Sequence, residues 1–205
     1  MYENINFTIR GTASLLLQNG KAADPLNPIN KLTKPISSKR GKTDEDHELL
    51  ANLEWVKYFY PSEDGIIGIE NGKVVLEGYG IPIIPGEIIE SLLIEGAKKI
   101  RKGEHFKCAI ISNGNWPILY KGAKTIKELF GDHNFRDMRM VSISGKRIPK
   151  CRPCFKEWSL NFNVEFLPEL LNRQDVIDVL DIAGKRCGLC DYRPQHGRFV
   201  IESFS

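Results

Sequence analysis

Two cysteine pairs stand out first: Cys151-Arg152-Pro153-Cys154 and Cys187-Gly188-Leu189-Cys190. Paired thiolates at this spacing are the usual ligands of a tetrahedral zinc, and four thiolates leave no open position for substrate. The expectation is a structural zinc held by Cys151, Cys154, Cys187 and Cys190. The gap between the pairs is longer than in a compact zinc ribbon. The expected topology, with the last helix antiparallel to the strand before it, would carry Cys187 back toward Cys151 and Cys154. The same thiols also suit small packing residues or a redox dithiol. Cys108 stands alone and is expected in the core, on a strand. Five cysteines is an odd number, and the chain reads as cytosolic, so a disulfide framework is not expected.

The second group is a polar loop, Gly188 to Arg198. Tyr192 offers a ring for stacking, and Arg193, Gln195, His196 and Arg198 offer donors to phosphates and bases. A third group lies in a run from Lys31 to Lys42 that holds five cations and no acid. From it Lys34, Lys39, Arg40 and Lys42 are expected to contact phosphates. Lys146 to Lys156 is a second acid-free run with five cations. Net charge is only +3, so it is the clustering of charge, not its sum, that suits phosphates. Solvated loops are the plain alternative for each run. Gly86, placed before a helix, could offer backbone N–H groups to an anion. No phosphate-loop, nucleophile-elbow or His-Glu-x-x-His pattern occurs. A nuclease using Asp24 or His196 is the enzymatic alternative.

These residues need a scaffold. With 205 residues, 41% hydrophobic and 27% charged, the chain can bury a core without disulfides or metal. No apolar run approaches the ~20 residues that span a bilayer. The acidic Met1-Tyr2-Glu3-Asn4 start does not read as a signal peptide, so the expected location is the cytoplasm.

Ile5, Phe7 and Ile9 alternate with polar residues and predict an opening strand, and Trp158 to Phe166 alternates as strictly. Between Gly20 and Lys42, three X-Pro steps argue against a continuous helix, so a long loop is expected there. Thr43-x-x-Asp46 and Thr125-x-x-Glu128 read as capping boxes that open helices. Asn71-Gly72 between short β-like runs predicts a hairpin. Helices are expected after Gly86 and over 173–183 with Gly184 as their stop, and strands near 107–111, around 118, over 138–144 and over 198–204. The order fits an α+β, ferredoxin-like (RRM-like) core, β-α-β-β-α-β, in a single domain spanning 1–205. A thumb-like insert over 20–80, with a helix and hairpin, follows the first strand, and a further segment is inserted in the middle.

Three landmarks carry a resemblance: the opening strand with its glycine (Ile5 to Leu17), the element Ile84-Pro85-Gly86-Glu87-Ile88-Ile89-Glu90-Ser91-Leu92, and the glycine-containing loop Gly188 to Arg198. Together they resemble the RAMP superfamily, which includes the backbone subunits and processing nucleases of CRISPR effector complexes. After Gly86 this chain has Glu-Ile-Ile-Glu-Ser where the superfamily has Ser-Ser-hydrophobic-Lys-Gly. The resemblance implies non-catalytic binding of RNA or single-stranded DNA by a subunit that self-associates or joins a larger complex. A stand-alone or phage-encoded relative fits as well. A metal-independent ribonuclease of the same superfamily, using His196 or Tyr192, is the first alternative. A protein-interaction module, such as an inhibitor mimicking a CRISPR subunit, is the second.

Overall fold

The computed structural model describes residues 1–70, 73–143 and 146–205. Along the chain the strands and helices are β1 (Glu3–Gly11), β2 (Leu15–Leu16), α1 (Pro28–Ser38), α2 (Asp44–Tyr58), β3 (Ile66–Glu70), β4 (Lys73–Glu77), β5 (Ile83–Pro85), α3 (Gly86–Lys98), α4 (Gly103–Ala109), β6 (Ile110–Ile111), β7 (Asn115–Leu119), α5 (Ile126–Gly131), β8 (Arg136–Ile143), β9 (Lys146–Phe155), β10 (Ser159–Phe166), α6 (Arg173–Arg186) and β11 (Phe199–Phe204). Helices and antiparallel sheets are mixed, as an α+β chain requires. The chain divides into two compact units. The first is Met1–Leu15, Ile83–Lys121 and Phe155–Ser205; the second is Leu16–Pro82 and Gly122–Cys154. The expected insert over 20–80 thus shares its unit with a second segment, 122–154.

In the first unit the sheet runs β11-β1-β10-β7-β5, with β6 also paired to β10. β1 is antiparallel to both β10 and β11. The alternation in β1 has its physical cause here: Ile5, Phe7 and Ile9 are buried, and Phe7 stacks on its cross-strand partner Phe162 with centroids 5.6 Å apart. Helices α3 and α6 pack together at Gly96, where a Cβ would lie 2.9 Å from that of Ala183. α6 opens on a capping box between Asn172 and Asp175. It runs through Gly184, the expected stop, and ends at Cys187. A side chain at Gly184 would meet the Phe199 ring, whose carbons lie 2.9 Å from where a Cβ would stand. Glycine is kept there by close packing inside the helix, not by a turn at its end.

Two more expectations on this unit are corrected. Residues 107–109 are the end of helix α4, not strand. Cys108 is exposed on that helix rather than in the core. Phe106 and Ala109 take its buried face instead.

In the second unit α2 opens on the Thr43–Asp46 capping box, and α5 on the Thr125–Glu128 box. Trp55 is fully buried, stacks on Phe59 at 5.0 Å and donates from Nε1 to the Phe135 carbonyl at 2.9 Å. β3 and β4 pair as an antiparallel hairpin. The Asn71-Gly72 turn itself lies outside the described residues, as do Ser144 and Gly145. The 20–42 stretch is not all loop: Pro28 to Ser38 is helical. Pro28 sits at the first helical position, where no N–H is needed, and the Asn27 side chain caps the Ile29 N–H at 2.9 Å. Pro35 is tolerated inside this short helix, whose Thr33 hydroxyl turns back to the Ile29 carbonyl.

The larger omission is β9, which pairs with β8 over its length and is followed by β2 in the sheet order. Its Pro149 and Pro153 turn their nitrogens away from the β8 ladder, as does Cys151 between them. The Cys151 N–H therefore donates elsewhere, to Glu54 Oε2 on α2 at 3.0 Å.

Candidate functional site

The C-terminal loop of the first unit is held from several sides. Leu189 N–H donates to the Gly197 carbonyl at 2.8 Å, and Gly197 N–H to the Ser14 carbonyl at 2.9 Å. The Arg198 carbonyl accepts from Thr12 at 2.8 Å. Gly197 has φ 70° and its missing Cβ would collide with the Leu189 carbonyl, so only glycine fits there. Cys190 (φ 63°) and Tyr192 (φ 56°) also adopt the left-handed conformation, at a cost of about 1 kcal/mol or more each.

This bracing presents Tyr192, Arg193, Gln195 and Arg198 to solvent. Arg198 donates from Nε to the Pro194 carbonyl at 2.7 Å. His196 is half-buried. Its Nδ1 lies 3.2 Å from the Ser14 carbonyl, which can only accept, so Nδ1 carries the proton in that bond. His196 therefore ties the loop to the turn after β1, and its ring meets Tyr192 edge-on at 5.6 Å. The charge of Arg193 reaches the end of α3: the Glu95 carboxyl is held below its usual range first by the Lys98 hydrogen bond and further by Arg193 and Lys99.

Gly86 has a different role from the expected anion site. Its N–H donates to the Gly114 carbonyl at 2.7 Å, and a Cβ there would overlap the Ser112 carbonyl. The start of α3 is filled by the 112–114 turn.

The basic residues of the insert lie in the second unit. Lys39 pairs with Asp46 at 2.6 Å, and Lys42 donates to the Lys39 carbonyl at 2.9 Å. Arg40 is exposed. Lys34 and Lys42 line a cleft of about 1420 Å³ within this unit. The same cleft holds residues that the sequence did not single out: His47 and Lys57 on α2, and Arg136 on β8. For the two on α2 the signal was the spacing 47, 51, 54, 57, one helical face with three ionisable groups; Arg136 carried none.

The two cysteine pairs belong to different units. Cys151 and Cys154 lie on the extended strand β9, where residues three apart point to opposite faces. They therefore do not present the two-thiolate knuckle on which the zinc expectation rests. Among the described residues, no group of three or more His, Cys, Asp or Glu is placed to hold a metal ion. Burial pushes the Cys151 thiol up to about 11, so it stays protonated at neutral pH. Iodoacetamide at pH 8 should then alkylate Cys108 in the folded protein and spare Cys151 until denaturant is added. Equal labelling of both in native buffer, read by peptide mass spectrometry, would contradict this placement.

No family model matches the sequence, and no curated protein matches it. Among solved structures, the chain is similar to one in the cryo-EM structure of the type III-B Cmr-beta bound to cognate target RNA. The TM-score is 0.50 at 10% identity, over 100% of this chain and 60% of that one. At this identity the likeness is one of fold. Among the described residues, no helix is long and apolar enough to cross a membrane.

Proposed function

We propose that this chain is a RAMP-like, non-catalytic binder of RNA or single-stranded DNA, working as a self-associating subunit or in a larger complex. The strand order β11-β1-β10-β7, with α3 and α6 as its crossovers, supports a ferredoxin-like core for the first unit. The likeness to a chain from an RNA-bound complex favours the same reading. The observation that carries it is the C-terminal loop. Left-handed backbone at Cys190 and Tyr192 is maintained by the surrounding hydrogen bonds, and the result is an exposed ring flanked by Arg193, Gln195 and Arg198. Strained loops of this kind concentrate where a ligand is engaged.

The test is binding of labelled single strands across a salt series. Each lost phosphate contact should flatten the plot of log affinity against log salt by about 0.7 for a single strand. Arg193→Gln should show that change, and Lys39→Ala combined with Arg40→Ala about twice it. An unchanged slope in either variant removes that segment from the interface. No affinity for any strand in the wild-type protein would turn the search to a protein partner.

The Tyr192–His196 edge contact favours one second reading, metal-independent RNA cleavage. It requires shortened strands in the wild-type reaction and intact strands with His196→Ala.

A further inference from the structure

The cleft in the second unit has a composition that its size makes informative. Small-molecule sites usually enclose about 300–1,000 Å³; this one is near 1420 Å³. Five cations line it, Lys34, Lys42, Lys57, Arg136 and Lys150, against two carboxylates, Glu48 and Glu54.

The carboxylates do not balance the cations locally. Glu54 is committed: it accepts from Lys150 Nζ at 2.6 Å and from the Cys151 N–H at 3.0 Å. Lys57 lies on the same helical face, and among the described residues no carboxylate forms an ion pair with it. Burial draws Lys57 below the ordinary lysine value, and the nearby charge of Lys150 adds to that, more than Glu54 offsets. Lys150 behaves oppositely. Burial would lower it, but hydrogen bonds to Glu54 and to the Tyr58 hydroxyl at 3.1 Å raise it. Two half-buried ammonium groups thus share one carboxylate, an arrangement that an incoming anion completes.

Arg136 is a cation already fixed in place. It donates from Nη1 to Asn52 Oδ1 at 2.6 Å and from Nε to the Phe130 carbonyl at 3.2 Å, and its guanidinium lies 4.7 Å from the centre of the Phe130 ring. Hairpin β8–β9 supplies an apolar wall through Met138, 61% exposed, and Pro149, which the strand register places on the same face. Cations beside exposed apolar side chains suit a ligand with phosphates and flat, apolar-faced bases. The volume exceeds a single nucleotide's site, and a duplex keeps its base faces stacked away from such a wall.

We infer that this cleft is a separate subsite for a short run of unpaired nucleotides, with Lys34, Lys57 and Arg136 facing phosphates and Met138 and Pro149 against bases. The inference rests on the single-strand binding proposed above and adds a second contact region to it.

The experiment uses the full chain, a single-stranded 20-mer and a tetranucleotide of the same base. The cleft variant is Lys34→Gln with Lys57→Gln, neither of which makes an ion pair among the described residues. The tetranucleotide should bind wild type and lose at least tenfold in affinity in the variant. The 20-mer should bind both, with the variant's salt slope lower by about 1.4, two contacts at about 0.7 each. Thermal unfolding should be unchanged, which excludes misfolding as the cause. A 20-mer that binds with the same slope in both proteins overturns the cleft while the proposed function stands. A wild type that binds no strand at all overturns both.

Discussion

Gly86→Ala should strip the first unit of a large part of its stability. The new methyl group would overlap the Ser112 carbonyl oxygen and lie 2.7 Å from the carbon behind it. Backbone could yield only if the 112–114 turn retreated, and it is pinned. Ser112 N–H donates to Glu90 Oε1 at 2.8 Å, its hydroxyl to the Asn163 carbonyl at 2.9 Å, and Gly114 accepts from Gly86 itself. Overpacking against fixed groups costs about 3 kcal/mol or more. For a chain of this size that is a fall of roughly 6–12 °C in melting temperature. Gly20→Ala is the control: nothing lies within 4 Å of its Cβ, and its effect should stay within about 0.5 kcal/mol. Equal melting temperatures for the two variants would show that the start of α3 is not packed as described.

Glu54→Ala should be the most damaging change in the second unit. Both partners of the Glu54–Lys150 pair are largely buried, with side chains 12% and 16% exposed. Removing the carboxylate leaves Lys150 and Lys57 facing each other without a counter-charge and strips the Cys151 N–H of its acceptor. Breaking a buried pair from one side costs about 3–5 kcal/mol. Glu54→Gln should recover part of the loss, because an amide oxygen can still accept from Cys151. Chemical denaturation followed through Trp55, the buried indole of this unit, reads the effect directly. A midpoint in Glu54→Ala equal to wild type would refute the role given to this carboxylate. Added single-stranded nucleic acid should stabilise the variant more than the wild type if its phosphates enter the cleft.

The parts of the fold that were legible in the sequence are those fixed by near neighbours. The alternation of Ile5, Phe7 and Ile9, the run from Trp158 to Phe166, and the capping boxes at Thr43 and Thr125 each carry their own signal within a few residues, and each is found as read. What was missed depends on distant partners. β9 is rich in lysine and arginine and holds two prolines, so it reads as solvated loop. It is a strand because its prolines fall at positions that ask nothing of β8, and because Glu54, 97 residues away, satisfies the one donor between them that faces away from β8. α1 was obscured by its X-Pro steps, although one of those prolines serves as its first residue. Of the candidate site, the exposed side chains of the C-terminal loop were legible from type alone. His196 as a tether was not, since a histidine in a polar loop looks like ordinary surface, and the spacing of His47, Glu54 and Lys57 on α2 is equally that of a solvated helix face.

The pairing of β1 has a consequence for how the chain comes together. Its neighbours on both sides, β10 and β11, are drawn from the last quarter of the sequence. A ribosome adding about 5–20 residues per second delivers β1 on the order of ten seconds before either neighbour exists. During that interval an apolar strand waits with both edges open, while α2 and the β3–β4 hairpin can already form from local contacts. High contact order of this kind slows the assembly of the first unit. It also makes β1 the segment for which a chaperone would have most to do.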